Sequence, residues 1–162
     1  MNDSRFLVVH VCLVTGKPFE EVAEGIERQL GHFDPDVDQS LTVGGDPSTA
    51  KARIEAMAGT SGFMLFGKRH HGSMLRIVGK ARKAVQYVVG NPLFAVQMTQ
   101  HDIRASLYAP LRVLLYENEH GKTCVEYDKP SSQFGQFGNA KVTEVAIMLD
   151  RKMEQLVARA IQ

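Results

Sequence analysis

Two spacings of apolar residues divide this chain, one of three and four residues that marks helices and one of two that marks strands. The opening run Arg5-Phe6-Leu7-Val8-Val9-His10-Val11-Cys12-Leu13-Val14 is almost continuously apolar and rich in β-branched residues. It predicts a central strand covered on both faces, with His10 inside the sheet as a hydrogen-bonded core residue. Thr15-Gly16-Lys17 turns the chain and Pro18 opens a helix whose Phe19, Val22, Ala23, Ile26 and Leu30 share one face. Glu20 and Glu21 occupy its first turn, where negative charge is favoured, and Gly31 ends it. Residues 32–46 read as a polar connection broken by Pro35 and Gly44-Gly45. Their alternating Asp34, Asp36 and Asp38 lack the glycine and the bidentate glutamate of a calcium loop. Asp46 then caps a helix that starts at Pro47 and turns Ala50, Ile54 and Met57 inward.

The middle of the chain changes to strand spacing. Phe63-Met64-Leu65-Phe66 and Met74-Leu75-Arg76-Ile77-Val78 read as the two arms of a hairpin with His70-His71 near its tip. Arg82 to Val89 is a further strand, and Gly90-Asn91-Pro92 turns it into a short helix carrying Leu93, Val96, Gln97 and Met98. Asn91 suits the N-cap and Pro92 the first helical position, so the corner offers backbone N–H groups and a positive dipole end to an anion. Leu111 to Tyr116 and Lys122 to Tyr127 form a second hairpin around Glu117-Asn118-Glu119-His120-Gly121. Phe134-Gly135-Gln136-Phe137-Gly138 reads as an irregular loop whose two aromatic rings form a lid over a site, anchor a partner subunit or pack onto the domain's own core. Asn139 caps a last long helix striped by Val142, Val145, Leu149, Met153, Leu156 and Ala160. These elements make one α+β domain of 162 residues, with a mainly antiparallel sheet of about five strands packed against helices.

Composition narrows the classes. Hydrophobic residues at 44% and charged residues at 23% are those of an ordinary globular protein. The sequence has no apolar run of membrane-spanning length and no signal-peptide pattern, and the expected location is the cytoplasm. Cys12 and Cys124 form no paired motif, which predicts two buried thiols in place of a zinc site or a disulfide. The net charge of +1 conceals an asymmetry. Lys68, Arg69, Arg76, Lys80, Arg82 and Lys83 all lie between Glu55 and Asp102, a stretch without an acidic residue, and such a face favours anionic ligands.

The familiar catalytic fingerprints are missing: the chain carries no phosphate loop, GxSxG elbow, HExxH pair or GxGxxG turn. Three constellations remain. His70 and His71, beside Lys68 and Arg69, are candidate axial ligands for haem, with Met64, Met74, Phe66 and Phe94 as apolar walls. As adjacent residues of an extended segment they face opposite ways, which argues against one shared metal ion. His101-Asp102 is a candidate acid–base pair, with His70 as another histidine for such chemistry. The third is the Asn91 corner, with Arg69, Lys80, Arg82 and Lys83 as anion partners and Phe94, Phe134 and Phe137 as apolar contacts. Near-neutral charge and the lack of a recognition motif speak against nucleic acid.

The segments Gly90-Asn91-Pro92-Leu93, Leu107-Tyr108-Ala109-Pro110-Leu111-Arg112-Val113, Tyr116-Glu117 and Glu126-Tyr127-Asp128-Lys129-Pro130 together resemble the bacterial and archaeal family called domain of unknown function 302. The likeness runs from the first strand to the last helix. It implies a compact α+β fold with an antiparallel sheet, commonly assembled as a homodimer, and brings no reaction or catalytic residue. Residues and resemblance lead to one expectation: a homodimeric module that binds a small anionic or amphipathic ligand at the corner.

Overall fold

The computed structural model describes residues 3–162. Its strands are β1 (His10–Thr15), β2 (Gly31–His32), β3 (Met64–Arg69), β4 (Ala84–Gly90), β5 (Leu111–Glu117) and β6 (Thr123–Asp128). The helices are α1 (Phe19–Glu27), α2 (Asp36–Thr42), α3 (Pro47–Met57), α4 (His71–Met74), α5 (Pro92–Thr99), α6 (Pro130–Phe134) and α7 (Ala140–Ile161). One sheet has the order β1-β6-β5-β4-β3-β2. Every pairing is antiparallel except the short parallel contact of β2 with β3. The expected α+β domain is observed, with six strands because Gly31 and His32 add a short edge to β3.

Alternation along the strands decides where the core lies. Val85, Tyr87, Val89, Leu111, Val113, Leu115, Val125 and Tyr127 point to one face, where Val22 and Ile26 of α1 and the stripe of α7 bury them. Within α7, Val142, Ala146, Leu149, Met153, Leu156 and Val157 are almost entirely removed from solvent. Such burial is worth about 1.5–3 kcal/mol for each large apolar side chain. Asn139 starts this helix by accepting from the backbone N–H of Lys141 and of Val142. Where α1 crosses α7, a Cβ on Gly25 would stand 2.9 Å from the Ala160 Cα, so only the bare glycine permits this approach. Tyr87 fastens the same helix to the sheet, its hydroxyl donating to Glu27 Oε1 at 2.7 Å. A second, smaller cluster of Phe33, Val37, Ala50, Ile54 and Met64 joins α2 and α3 to β3.

Several local expectations are corrected. The first strand is an edge strand limited to His10–Thr15, bonded to β6 alone, with alternate residues exposed. Its apparent continuity came from Phe6, Leu7, Val8 and Val9, which precede it and stay exposed. His10 is consequently at the surface, and of the two thiols only Cys124 is buried while Cys12 is exposed. Residues 32–46 contain β2 and α2, since Asp34 Oδ1 accepts from the Asp36 N–H and starts a helical turn. Residues 74–78 are not a returning strand. The chain passes through α4 and a 3₁₀ turn over Leu75–Val78, closed by Gly79 at φ 72°. That turn leaves Met74, Ile77 and Val78 exposed, and β3 pairs with β4. The aromatic loop is α6 followed by a 3₁₀ turn over Gly135–Phe137, and Phe134 is wholly buried in the main core. Among the described residues, no helix is long and apolar enough to cross a membrane.

Gly25→Val is expected to destabilise the protein by about 1–3 kcal/mol through overpacking, read as a lower midpoint in urea unfolding with an unchanged slope.

Candidate functional site

The Gly90-Asn91-Pro92 corner is formed as expected, but its polar groups are already used. Asn91 Oδ1 accepts from the Leu93 N–H at 2.9 Å, and the Asn91 carbonyl accepts from Phe94 and Ala95 at 3.0 and 3.1 Å. Pro92 has no N–H. The first turn of α5 therefore has no free donor for an anion, which corrects the expectation drawn from its helix dipole. Asn91 Nδ2 donates to the Gly62 carbonyl at 2.9 Å and ties the corner to the turn before β3. Asn91 is a builder of the corner.

Beneath the corner lies a cavity of about 230 Å³. Phe63, Phe66, Phe94, Met98, Leu111, Phe134 and Leu149 give it apolar walls, with Asn91, Thr99, Ser106 and Asp38 as polar points. The walls come from separate elements: Phe94 and Met98 lie one turn apart on α5, Leu111 starts β5, Phe134 ends α6 and Leu149 belongs to α7. Such a partly open, mostly apolar hollow can cover an apolar group and leaves few places for a polar one.

Of the residues expected at the corner, Asn91, Phe94 and Phe134 line this cavity. Phe137 stands apart, packed on Tyr108 and beneath the Arg104 guanidinium. The basic residues are also elsewhere. Arg82 pairs with Glu119 at 3.0 Å, Lys83 bridges Glu20 and Glu117 at 2.9 and 3.1 Å, and Arg69 and Lys80 are exposed. The cation that does stand next to the corner is Lys152 of α7, unremarked in the sequence because nothing local marks it beyond its place three residues after Leu149. Its ammonium lies 5.2 Å from the centre of the Phe94 ring and donates to the Ser61 carbonyl at 3.2 Å.

The histidine constellations come apart in a similar way. His70 and His71 begin α4, both exposed, and neither lines the corner cavity. Met64 and Phe66 belong to the smaller core cluster and Met74 is exposed, so the apolar walls expected for haem do not meet around the pair. His71 shares an open groove of about 420 Å³ with Arg82, Lys83, Leu114 and Tyr116. Asp102 does not orient His101: its carboxylate receives Arg104 Nε and a terminal nitrogen at 2.9 and 2.6 Å, and Arg104 holds it below the usual carboxylate range. Among the described residues, no three His, Cys, Asp or Glu side chains are grouped to hold a metal ion.

A polar cluster that was not anticipated occupies the uncovered face of β1, β6 and β5. His10 Nδ1 meets Asp128 Oδ1 at 2.8 Å and Nε2 meets Glu126 Oε2 at 3.1 Å, while Glu126 Oε1 accepts from Tyr116 at 2.5 Å and from Cys12 at 3.3 Å. The signal was the alternation of Glu126 and Asp128 on one strand, legible only once the register placed His10 beside them. The two carboxylates raise the His10 pKa, Asp128 more than Glu126. The Tyr116 hydroxyl, against its own burial cost, lowers that of Glu126 with help from Cys12 and His10.

An α+β domain with an apolar cavity under a strand-to-helix corner is the class that these features define. The chain belongs to the family described as Domain of unknown function DUF302, whose model matches residues 39–160. Its fold is similar to the crystal structure of an uncharacterized conserved DUF302 protein from Bacillus stearothermophilus, at 16% identity and a TM-score of 0.66. That likeness covers 93% of this chain and 97% of the other. No curated protein matches the chain.

Because the folded His10 pKa lies above its ordinary 6.5, its stabilising contribution is complete below that value and is lost as pH rises through the folded pKa. An NMR titration is expected to place His10 above 6.5 in the native protein. Asp128→Asn is expected to bring it down, and a His10 value that ignores this change would contradict the assignment.

Proposed function

We propose that this protein is a non-enzymatic, small-ligand-binding module whose ligand places an apolar body in the cavity beneath the Asn91 corner. The observation that carries this reading is the cavity itself, walled by Phe63, Phe94, Met98, Leu111 and Phe134 and wide enough for a chain or ring of several carbons. Its few polar points favour an amphipathic molecule over a small inorganic anion, since the N–H groups of α5 are occupied and the basic segment lies elsewhere. Two free thiols without a disulfide, Cys12 exposed and Cys124 buried, suit a reducing, cytoplasmic setting. We further propose a homodimer. The free edge of β1, with Leu7, Val9 and Val14 exposed beside it, supports self-association. Sedimentation equilibrium at micromolar concentration tests it, and a mass of one chain overturns it.

Haem is a second reading, with one observation in its favour: His71 meets Arg82 and Lys83, partners for propionates, in one groove. A Soret band on titration with hemin that disappears in His71→Ala would establish it, and an unchanged band would remove it.

For the cavity, octanoate and octanamide are suitable probes. Saturable binding and a rise in melting temperature with ligand concentration are expected for at least one of them. Ala95→Phe, which fills the cavity from α5, is expected to abolish both effects while the protein remains folded. Binding that survives this substitution, or no binding by either probe, overturns the reading.

A further inference from the structure

We infer that Lys152 selects the ligand of the corner cavity by its head group, so that the molecule bound is a monoanion, of carboxylate type, with an apolar tail. The inference rests on the cavity reading above and adds the chemistry of the ligand's polar end. α7 presents Leu149 to the cavity, and Lys152, three residues later and outside the lining itself, reaches it through Phe94. Phe94 joins the two, because the ring that lines the cavity also carries the Lys152 ammonium on it.

Charge and burial around this ammonium are out of balance. The residue is partly buried, and its ammonium has one carbonyl acceptor, from Ser61, and one aromatic ring. Among the described residues no carboxylate pairs with it, although Lys51, Lys68, Lys129 and Lys141 each have one and Lys83 has two. An ammonium can donate three hydrogen bonds, so a ligand oxygen has donors to meet. Gly62 stands against it: a Cβ there would come within 2.9 Å of Lys152 Nζ, and the absent side chain keeps the space beside the ammonium open. Gly62 is also the acceptor of Asn91, so corner, turn and cation form one connected structure. The cavity alone, with Asp38 as its one carboxylate, would accept octanamide at least as readily as octanoate. A partly buried cation on the Phe94 wall prefers the carboxylate, and a second charge on the ligand would have no partner there.

Calorimetry with octanoate and octanamide separates the two statements. In the native protein, octanoate is expected to bind about tenfold or more tightly than octanamide, the scale of one partly buried charge pair. Lys152→Met retains the length and packing on Phe94 and is expected to bring the ratio close to one, whereas Lys152→Arg keeps the preference. Circular dichroism melts of both variants establish that they fold. Equal binding of the two probes in the native protein, or a ratio that survives in folded Lys152→Met, overturns the role of Lys152 and leaves the cavity reading standing. Loss of both probes in the native protein overturns the two together.

Discussion

The structure depends on one apolar contact, the burial of a single stripe of α7 against the inward face of the sheet. Seven positions of this helix, from Val142 to Ala160, are buried together. An isolated strand or helix of this composition would hold poorly by itself, since its ordering costs about as much as its contacts return. Packing α7 on β4, β5 and β6 settles the sheet's two faces. The inward positions of β5 must then be apolar, as Leu111, Val113 and Leu115 are, while Arg112, Leu114 and Tyr116 take the opposite face and Glu117 ends the strand. Gly25 allows α1 to join the same layer at close range, and Tyr87 reaches from β4 to hold its end.

The same packing produces the cavity. α5 leaves the sheet at Asn91 and runs across the end of β5, where the rings of Phe63, Phe94 and Phe134 cannot fill all the volume between them. A gap of this kind costs packing energy unless something occupies it. Asn91 holds the gap's outer edge by satisfying both the helix start and Gly62, so the corner is rigid without leaving a polar group spare.

Much of this was legible in the residues, and for identifiable reasons. Caps and breakers announced themselves: Asn91-Pro92, Asp46-Pro47 and Asn139 each begin a helix where their side chains accept from the next turn. The period of α7 was long enough to be unmistakable. Short apolar runs were less informative. Ile77 and Val78 have strand-like side chains, yet Gly79 closes them into a 3₁₀ turn because local hydrogen bonds to Arg76 and Leu75 win over pairing. The approach to β1 is apolar without being buried, a state that periodicity alone does not distinguish. At the candidate site, sequence proximity misled: Lys80, Arg82 and Lys83 are close to Asn91 along the chain and distant from its cavity. Lys152 is 61 residues away and stands on the Phe94 ring that lines it, and only the α7 register brings it there.

The pairing of β1 with β6 carries a consequence for how the chain is made. His10 finds Asp128 across 118 residues of chain, so β1, made before the other strands of its sheet, waits longest for its partner. Through most of synthesis the unpaired backbone of β1, with its inward Val11 and Leu13, travels as an open edge while β3, β4 and β5 assemble behind it. A nascent chain of this protein therefore passes through a period of chaperone-visible exposure that ends only when its C-terminal third is translated, and the brevity of β1 limits how much of that edge a neighbouring nascent chain can capture.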